Sequence, residues 1–275
     1  MAQYVDTQNA KNYLMESTTE ALRLEVKTDK SSVKRQAIWA GVKAGMKVLD
    51  VGCGSGAATA VLADLVGPSG QVVGIDFSEE RLAVAGEHYQ AGNVDFALHD
   101  IRKPYVSDIS FDVVWSRFFL EYFRKEQRQI VINSTASLKA GGIACMGDLD
   151  NNSLGHYGLS RRLQDTLQDI LFRVERDFDF DPYAGRRLYG HFYELGFKDI
   201  ACHMEAHHLV YGQGTPSDNF NWLQKVDVAA RKSGCTFEAY DGKYQEFRNE
   251  VEEFISSSKR FTYTPLILVR GIKPE

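Results

Sequence analysis

The 275-residue sequence contains little cysteine and no long apolar run, and each shortage argues against a class of protein. Cys53, Cys145, Cys202 and Cys235 lie far apart and form no C-x-x-C pair, unlike the clustered cysteines of disulfide frameworks and zinc sites. Cys145 and Cys202 occur in apolar, strand-like runs, so we predict that both are small core residues. No apolar run reaches the roughly 18 residues that a transmembrane helix requires.

Concentrated basic charge is also missing. The chain has 32 Lys plus Arg against 37 Asp plus Glu, a formal net charge of -5. A protein that binds a phosphate backbone normally gathers basic residues on one face, so we expect no nucleic-acid partner. The first residues, MAQYVDTQNAKN, have neither the basic patch nor the apolar stretch of a secretion signal, and we expect a cytoplasmic protein.

The first half of the chain alternates strand-like and helix-like segments. Apolar runs that read as buried strands are followed by turns and then by amphipathic runs. The predicted strands are 46–51, 71–76, 94–99, 111–116 and 143–149, and the predicted helices are 57–66, 78–88 and 125–139. This alternation predicts an α/β fold with a mostly parallel sheet covered by helices on both faces.

The second half is richer in helices. Helices are predicted at 159–174, 184–195, 218–231 and 238–257, and strands at 199–211 and 262–271. Because no linker rich in Gly, Ser or Pro separates the halves, we predict one sheet-centred domain over 43–275. Its helical insertions would lie at about 151–196 and 212–260, with a helical cover over residues 1–42.

The most informative segment is VLDVGCGSG, which places Gly52, Gly54 and Gly56 between a strand and a helix. Glycine lets a ligand approach the backbone closely. This spacing also fits a dinucleotide-binding turn, but Asp50 would repel a pyrophosphate docked there. A nicotinamide-dependent oxidoreductase is therefore disfavoured, and a ligand with positive charge is favoured. S-adenosylmethionine carries two cationic groups, an ammonium and a sulfonium.

Two more carboxylates end the next two predicted strands. Asp76 can accept two hydrogen bonds from a ribose diol, and Asp100 can accept one from an adenine amino group, with the Ile101 backbone at the ring edge. The carboxyl ends of parallel strands meet at one edge of the sheet, where open sheets bind their ligands. These acids therefore predict a ligand site at that edge.

At these residues the sequence resembles a known family. VLDVGCGSG, VVGIDFSEE, FALHDI and FDVVWSRFFLEYF resemble successive cofactor motifs of the class I S-adenosylmethionine-dependent methyltransferases, in the small-molecule branch that includes ubiquinone and menaquinone methyltransferases. The resemblance covers about residues 43–149. It implies a Rossmann-like, seven-stranded sheet of order 3-2-1-4-5-7-6 with strand 7 antiparallel. The family usually joins strands 6 and 7 by a short turn, whereas roughly fifty residues intervene here.

The resemblance also implies roles for particular residues. The cofactor would be S-adenosyl-L-methionine and the product S-adenosyl-L-homocysteine. Arg23, in a helix at 16–25, is a candidate for the cofactor carboxylate, or else an exposed helix residue. The other implied cofactor-binding residues are Asp50, Gly52, Cys53 and Gly54 near the methionine moiety, Asp76 at the ribose, Phe77, Asp100 and Ile101 at the adenine, and Ser116 beside the reactive methyl.

Methyl transfer is an in-line displacement, so the enzyme mainly positions the reactants, and a base is needed only where the acceptor must lose a proton. By position, Arg117, Asp148 and His156 are the candidates for substrate positioning or for a base, with structural roles as the alternative. We expect no metal, because His203 and His207 would lie about 13 Å apart along a strand.

The acceptor is expected to be a small molecule methylated on O, N or C. Aromatic residues in the insertions suggest an apolar pocket, although core packing explains them equally: Tyr157, Phe172, Tyr183, Tyr189, Phe192, Tyr193, Phe220 and Trp222. A non-catalytic S-adenosyl ligand binder and an aminopropyltransferase-like enzyme remain alternatives on the same fold. The chain is expected to be a monomer or a homodimer.

Overall fold

The computed structural model describes residues 28–275. The expectations for Arg23, and for a helix at 16–25, lie outside this part of the chain. The strands are β1 Lys47–Val51, β2 Gln71–Asp76, β3 Val94–Leu98, β4 Phe111–Arg117, β5 Leu138–Leu149, β6 His156–Tyr157, β7 Lys198–Tyr211 and β8 Phe261–Ile272. The α-helices are α1 Lys30–Ala40, α2 Ala57–Val66, α3 Glu79–His88, α4 Gln127–Ser134, α5 Arg161–Asp177, α6 Ala184–Glu194, α7 Pro216–Lys232 and α8 Tyr244–Ser256.

The eight strands of residues 28–275 form one sheet. Its order is β3-β2-β1-β4-β5-β8, with β7 paired to β8 and the short β6 paired to the start of β8. Strands β1 to β5 are parallel to one another, whereas β8 is antiparallel to both β5 and β7. Since β7 and β8 are the sixth and seventh strands of the expected pattern, the predicted order 3-2-1-4-5-7-6 is confirmed.

Helices cover both faces of this sheet. Because successive side chains of a strand point to opposite faces, the neighbours Val114 and Trp115 of β4 enter two different cores. Val114 packs in the core that contains Leu188 and Phe192 of α6. Trp115 packs in the core that contains Ala37 of α1. The predicted α/β class with helices on both faces is confirmed.

A third hydrophobic core lies in the helical insertions. Helices α5, α7 and α8 contribute Ile170, Trp222 and Phe247, all of them buried. We call α5, α7 and α8 the cap. Among residues 28–275, no helix is both long and apolar enough to cross a membrane.

Local sequence signals placed most elements to within a few residues. Helix α3 begins after Ser78, whose Oγ accepts a hydrogen bond from the Arg81 N–H at 3.3 Å. The predicted helix at 125–139 was wrong at its C-terminal end, because α4 stops at Ser134 and β5 begins at Leu138. Leu138 pairs with Phe111 of β4, so sheet pairing replaces the last helical turn.

The prediction for the two strand cysteines was half right. Cys145 lies in the central strand β5 and is buried, but Cys202 is exposed. Strand β7 is at the edge of the sheet, and alternate residues along it face outwards. The apolar run therefore predicted the strand correctly but did not predict that the strand lies at the edge of the sheet, where Cys202 is exposed.

Candidate functional site

A cavity of about 250 Å³ opens at the carboxyl ends of the first parallel strands. We call it the strand-end cavity. Five of the predicted cofactor-binding residues line it, all of them at or just after the ends of β1, β2 and β3: Gly52, Asp76, Phe77, Asp100 and Ile101. Its opposite wall is formed by Phe119, Tyr122, Phe123 and Glu126 after β4, and by Phe178 and Asp179 after α5.

The glycine turn brings bare backbone to this cavity. Gly52, Gly54 and Gly56 have φ of +73°, +56° and +86°, the left-handed region that only glycine adopts readily. The N–H groups of Gly52 and Cys53 donate to the Ile75 carbonyl at 2.8 and 3.0 Å, which fixes the turn against β2. A Cβ on Gly52 would lie 2.6 Å from Cδ2 of Phe119, so the turn requires glycine here for packing as well.

Asp76 is the most heavily hydrogen-bonded acid of the site. Its Oδ1 accepts from the Ser78 N–H at 3.0 Å and from the Arg81 guanidinium at 2.9 and 3.2 Å. Its Oδ2 accepts from the Gly54 N–H at 3.0 Å. The Arg81 and Asp76 side chains are only 5% and 6% exposed. Asp76 therefore links the glycine turn to α3 while still facing the cavity.

Asp50 lies beneath the turn and does not line the cavity. It is buried, and its Oδ2 accepts a hydrogen bond from the Thr59 hydroxyl at 2.6 Å. Burial raises the pKa of Asp50 to about 6, although the Thr59 hydrogen bond and the positive charge of Arg117 oppose this shift. Cys53 is also buried, and burial with the charges of Asp50 and Asp76 raises the pKa of its thiol.

Asp100 is held by a residue of its own loop. Its Oδ1 accepts from the Arg102 N–H at 3.1 Å and from Arg102 Nε at 2.9 Å, and Oδ2 accepts from the same Nε at 3.1 Å. Burial alone would raise the pKa of Asp100, but the hydrogen bonds and charge of Arg102 lower it overall.

Ser116 and Arg117 end β4 and occupy opposite faces of it. Ser116 pairs with Val51, a residue of the cavity wall, and its buried hydroxyl has no hydrogen-bond partner among the described residues. The guanidinium of Arg117 packs 4.6 Å from the Phe118 ring centroid. Burial lowers the pKa of Arg117 to about 10, against the opposing charges of Glu205 and Asp50. Neither side chain lines the strand-end cavity.

Asp148 is fully committed to backbone groups. Its Oδ2 accepts from the N–H groups of Phe119 and Glu121, both at 3.1 Å, and its Oδ1 from the Leu149 N–H at 2.9 Å. Burial and the charge of Glu121 raise the pKa of Asp148 well above its usual range. This geometry fixes the segment after β4, and Asp148 is not part of the cavity wall.

His156 begins β6 and packs against the cap. Its ring meets those of Trp222 and Phe254 edge-on, at 5.0 and 5.5 Å between centroids, and Nδ1 is 3.0 Å from the Thr262 hydroxyl. Burial, together with the charges of Arg260 and Lys225, lowers the pKa of His156 to about 4. His156 is also outside the lining of the strand-end cavity.

The aromatic wall of the cavity was not predicted residue by residue. Phe119, Tyr122 and Phe123 belong to the quoted motif FDVVWSRFFLEYF, but the sequence could not show which rings turn inwards. Phe178 and Asp179 lie in the second half of the chain, where no motif marked them. The aromatic residues that had been singled out in the insertions do not line the cavity, and several, such as Phe172 and Tyr193, are exposed. Within residues 28–275, no cluster of three or more His, Cys, Asp or Glu side chains has the arrangement of a metal site.

Comparison with known proteins agrees with this architecture. Residues 42–177 match the family model described as a methyltransferase domain. An arsenite methyltransferase of Aquipseudomonas alcaligenes is 36% identical over 134 residues, which are 45% of this chain and 36% of that protein. A demethylmenaquinone methyltransferase of Staphylococcus aureus is 44% identical over 81 residues, 29% of this chain and 34% of that protein. The matched segments thus span only about a third of each relative.

A solved structure resembles the fold of the whole chain. The phosphoethanolamine N-methyltransferase 2 of Haemonchus contortus, in complex with S-adenosyl-L-methionine, superposes with a TM-score of 0.61 at 18% identity, covering 99% of this chain and 61% of that one. At this identity the likeness concerns the fold alone. The domain match and the sheet order agree: the domain over residues 42–177 belongs to the class I S-adenosylmethionine-dependent methyltransferases.

Proposed function

We propose that this chain transfers the methyl group of S-adenosyl-L-methionine to O, N or C of a small molecule and releases S-adenosyl-L-homocysteine. The observation that carries the proposal is the strand-end cavity. Its wall combines the bare backbone of Gly52, the carboxylates of Asp76 and Asp100 and several aromatic rings. A nucleoside with a methionine tail would use such groups for its ribose, its base and its tail. The methyltransferase domain matched at residues 42–177 supports the same function.

The residues present fit this cofactor. Asp76 would accept the ribose hydroxyls, while Phe77 and Ile101 would flank the adenine and Asp100 would accept from its amino group. The turn at Gly52 and Gly54 would run beside the methionine moiety. When bound, the cofactor supplies a methyl group attached to a good leaving group, so the reaction needs no metal.

The protein's own contribution is mainly positional. We propose that Asp148 acts by holding the backbone of Phe119 and Glu121 in place, and not by removing a proton. We propose that Arg117, cationic at neutral pH, balances Asp50 beneath the glycine turn. The aromatic side chains of the cavity wall would exclude water from the reacting groups.

The acceptor is proposed only as a class. The relatives act, by their names, on arsenite and on demethylmenaquinone, and the structural neighbour on phosphoethanolamine. These three acceptors have little in common chemically. The aromatic wall favours an acceptor with an apolar or flat portion, and the net charge of -5 disfavours nucleic acid.

Two measurements test the proposal. Titration calorimetry with S-adenosylhomocysteine and with NADH should give binding of the first and none of the second. Incubation of the protein with methyl-labelled cofactor and a small-metabolite extract should then place label in a small molecule. Binding without any transfer would favour the alternative of a non-catalytic S-adenosyl ligand binder. Binding of NADH alone would refute the proposal.

A further inference from the structure

Residues 178–183 form a loop that connects α5 of the cap to α6, which packs on the sheet. We call them the cap loop. Its first two residues, Phe178 and Asp179, line the strand-end cavity opposite the residues that follow β3. This wall comes from an insertion that lies about eighty positions beyond Asp100 in the sequence, outside the motifs that resemble the family.

The cap loop is held firmly against the segment after β4. The Arg124 N–H donates to the Asp179 carbonyl at 2.9 Å, and the Asp181 N–H donates to the Glu121 carbonyl at 2.7 Å. The rings of Tyr122 and Phe180 pack 5.9 Å apart. These contacts make the loop and the segment after β4 one continuous wall.

Asp179 takes a conformation that few residues other than glycine adopt. Its φ is +56°, and such backbone conformations persist where surrounding contacts impose them, often beside ligands. The contacts described for its carboxylate both involve Oδ1, from the Lys125 N–H at 3.2 Å and the Lys125 ammonium at 3.8 Å. Oδ2 is thus available to a donor in the cavity.

The chemistry of this wall matches a flat base with an exocyclic amine. Phe178 offers a half-buried aromatic ring and Asp179 a half-buried carboxylate. On the other side of the cavity, Asp100 already accepts three hydrogen bonds from Arg102. An amino group has two hydrogens to donate, so a second carboxylate gives the other one a partner.

We propose that Phe178 and Asp179 are nucleoside-binding residues, with Phe178 packing on the adenine ring and Asp179 accepting from its amino group. The cofactor then bridges the core and the cap. Binding of the cofactor would therefore fix the position of the cap, which is expected to hold the acceptor. This inference rests on the proposed function, because it assigns residues to the same cofactor.

The test uses the full chain and two ligands. S-adenosylhomocysteine carries the amino group, and S-inosylhomocysteine replaces it by a carbonyl oxygen. Phe178→Ala should weaken binding of both ligands about tenfold, the usual effect of losing one aromatic ring that stacks on a base. Phe172→Ala is the matched control, since Phe172 is an exposed phenylalanine of α5 that lies outside the cavity wall.

Asp179→Asn separates recognition from folding. An asparagine amide can donate to the carbonyl of the inosine ligand, so the preference for S-adenosylhomocysteine should fall at least threefold. A merely structural role would lower the melting temperature without changing that preference. Thermal unfolding of each variant, with and without ligand, identifies a variant that has failed to fold.

The outcomes are distinct. If the wild type does not bind S-adenosylhomocysteine, the proposed function fails. If the wild type binds it, but Phe178→Ala keeps its affinity within twofold and Asp179→Asn keeps the preference, then the nucleoside assignment is overturned while the proposed function stands. Weakened binding in Phe178→Ala, with Phe172→Ala unchanged and the preference reduced in Asp179→Asn, supports it.

Discussion

Replacing Asp76 by alanine should abolish most cofactor affinity, and the structure gives the size of the effect. A hydrogen bond to a charged group contributes about 1.5–3 kcal/mol. A ribose diol would make two of them, but Asp76 already accepts four hydrogen bonds from Ser78, Arg81 and Gly54. A carboxylate has about four acceptor positions, so the ribose must share or displace these donors. We therefore count one bond net, which predicts at least about a tenfold higher Kd for S-adenosylhomocysteine.

The same substitution also acts on folding. It removes the buried ion pair between Asp76 and the Arg81 guanidinium, and breaking one side of a buried ion pair costs about 3–5 kcal/mol. Replacing both partners by apolar residues is often close to neutral. The double variant Asp76→Ala with Arg81→Met should therefore regain most of the lost stability in urea denaturation. It should still bind the ligand at least tenfold more weakly than the wild type.

Calorimetry on folded protein decides between the two roles. A double variant that recovers wild-type affinity would show that loss of the Asp76–Arg81 ion pair, and not loss of the ribose contacts, weakened binding in the single variant. An affinity of folded Asp76→Ala within twofold of the wild type would refute the ribose assignment directly.

Three further substitutions test the glycine turn at Gly52, the buried carboxyl group of Asp50 and His156, which packs against the cap. Gly52→Ala should weaken S-adenosylhomocysteine binding more than tenfold in calorimetry, because the φ of Gly52 is +73° and the added Cβ meets Phe119. The matched control is Gly86→Ala in α3, where the added Cβ meets open space. It should raise the free energy of unfolding by about 0.5–1 kcal/mol. Burial raises the pKa of Asp50 from 3.8 to about 6. The folded protein therefore keeps a proton on Asp50 that the unfolded chain releases, and the free energy of unfolding should fall by about 3 kcal/mol as the pH rises from about 4 to 6. Asp50→Asn should flatten this fall in urea titrations from pH 4 to 7. His156→Phe should keep the rate of methyl transfer within about threefold, whereas a hundredfold slower rate would indicate that His156 acts as a base. Below about pH 6.5 an unfolded histidine takes up a proton that buried His156, with its pKa near 4, does not, so the wild type should lose stability there. His156→Phe should remove that loss.

The parts of the fold that could be predicted are those set by local patterns. The strand–turn–helix from Lys47 to Val66 and the N-cap at Ser78 follow from periodicity, glycine and capping. The end of α4 could not be predicted, because the helical periodicity continues to residue 139 and only the pairing of Leu138 with Phe111 starts β5 at Leu138. The exposure of Cys202 likewise depends on which strand stands at the edge of the sheet.

The site divides in the same way. Gly52, Asp76 and Asp100 could be placed at the cavity from the sequence because each lies at or just after the end of a strand and parallel strands end at one edge. Phe178 and Asp179 could not, since they reach the cavity only through the packing of an insertion against the segment after β4. Sequence motifs reflect local structure, whereas this wall is formed by tertiary contacts that no local motif predicts.

The structure also changes the electrostatic argument for a cationic ligand. From the sequence alone, Asp50, Asp76 and Asp100 form a cluster of negative charge at the strand ends. In the folded chain an arginine opposes each acid: Arg117 near Asp50, Arg81 on Asp76 and Arg102 on Asp100. Because an arginine charge opposes each carboxylate, little excess negative charge remains to attract a cation from a distance. Selection of the ligand must then come from short-range geometry, from hydrogen-bond acceptors already held in position and from the bare backbone of the glycine turn. This also explains why the arginines are present, because a carboxylate that is held by an arginine beforehand loses less freedom when the ribose or the adenine binds.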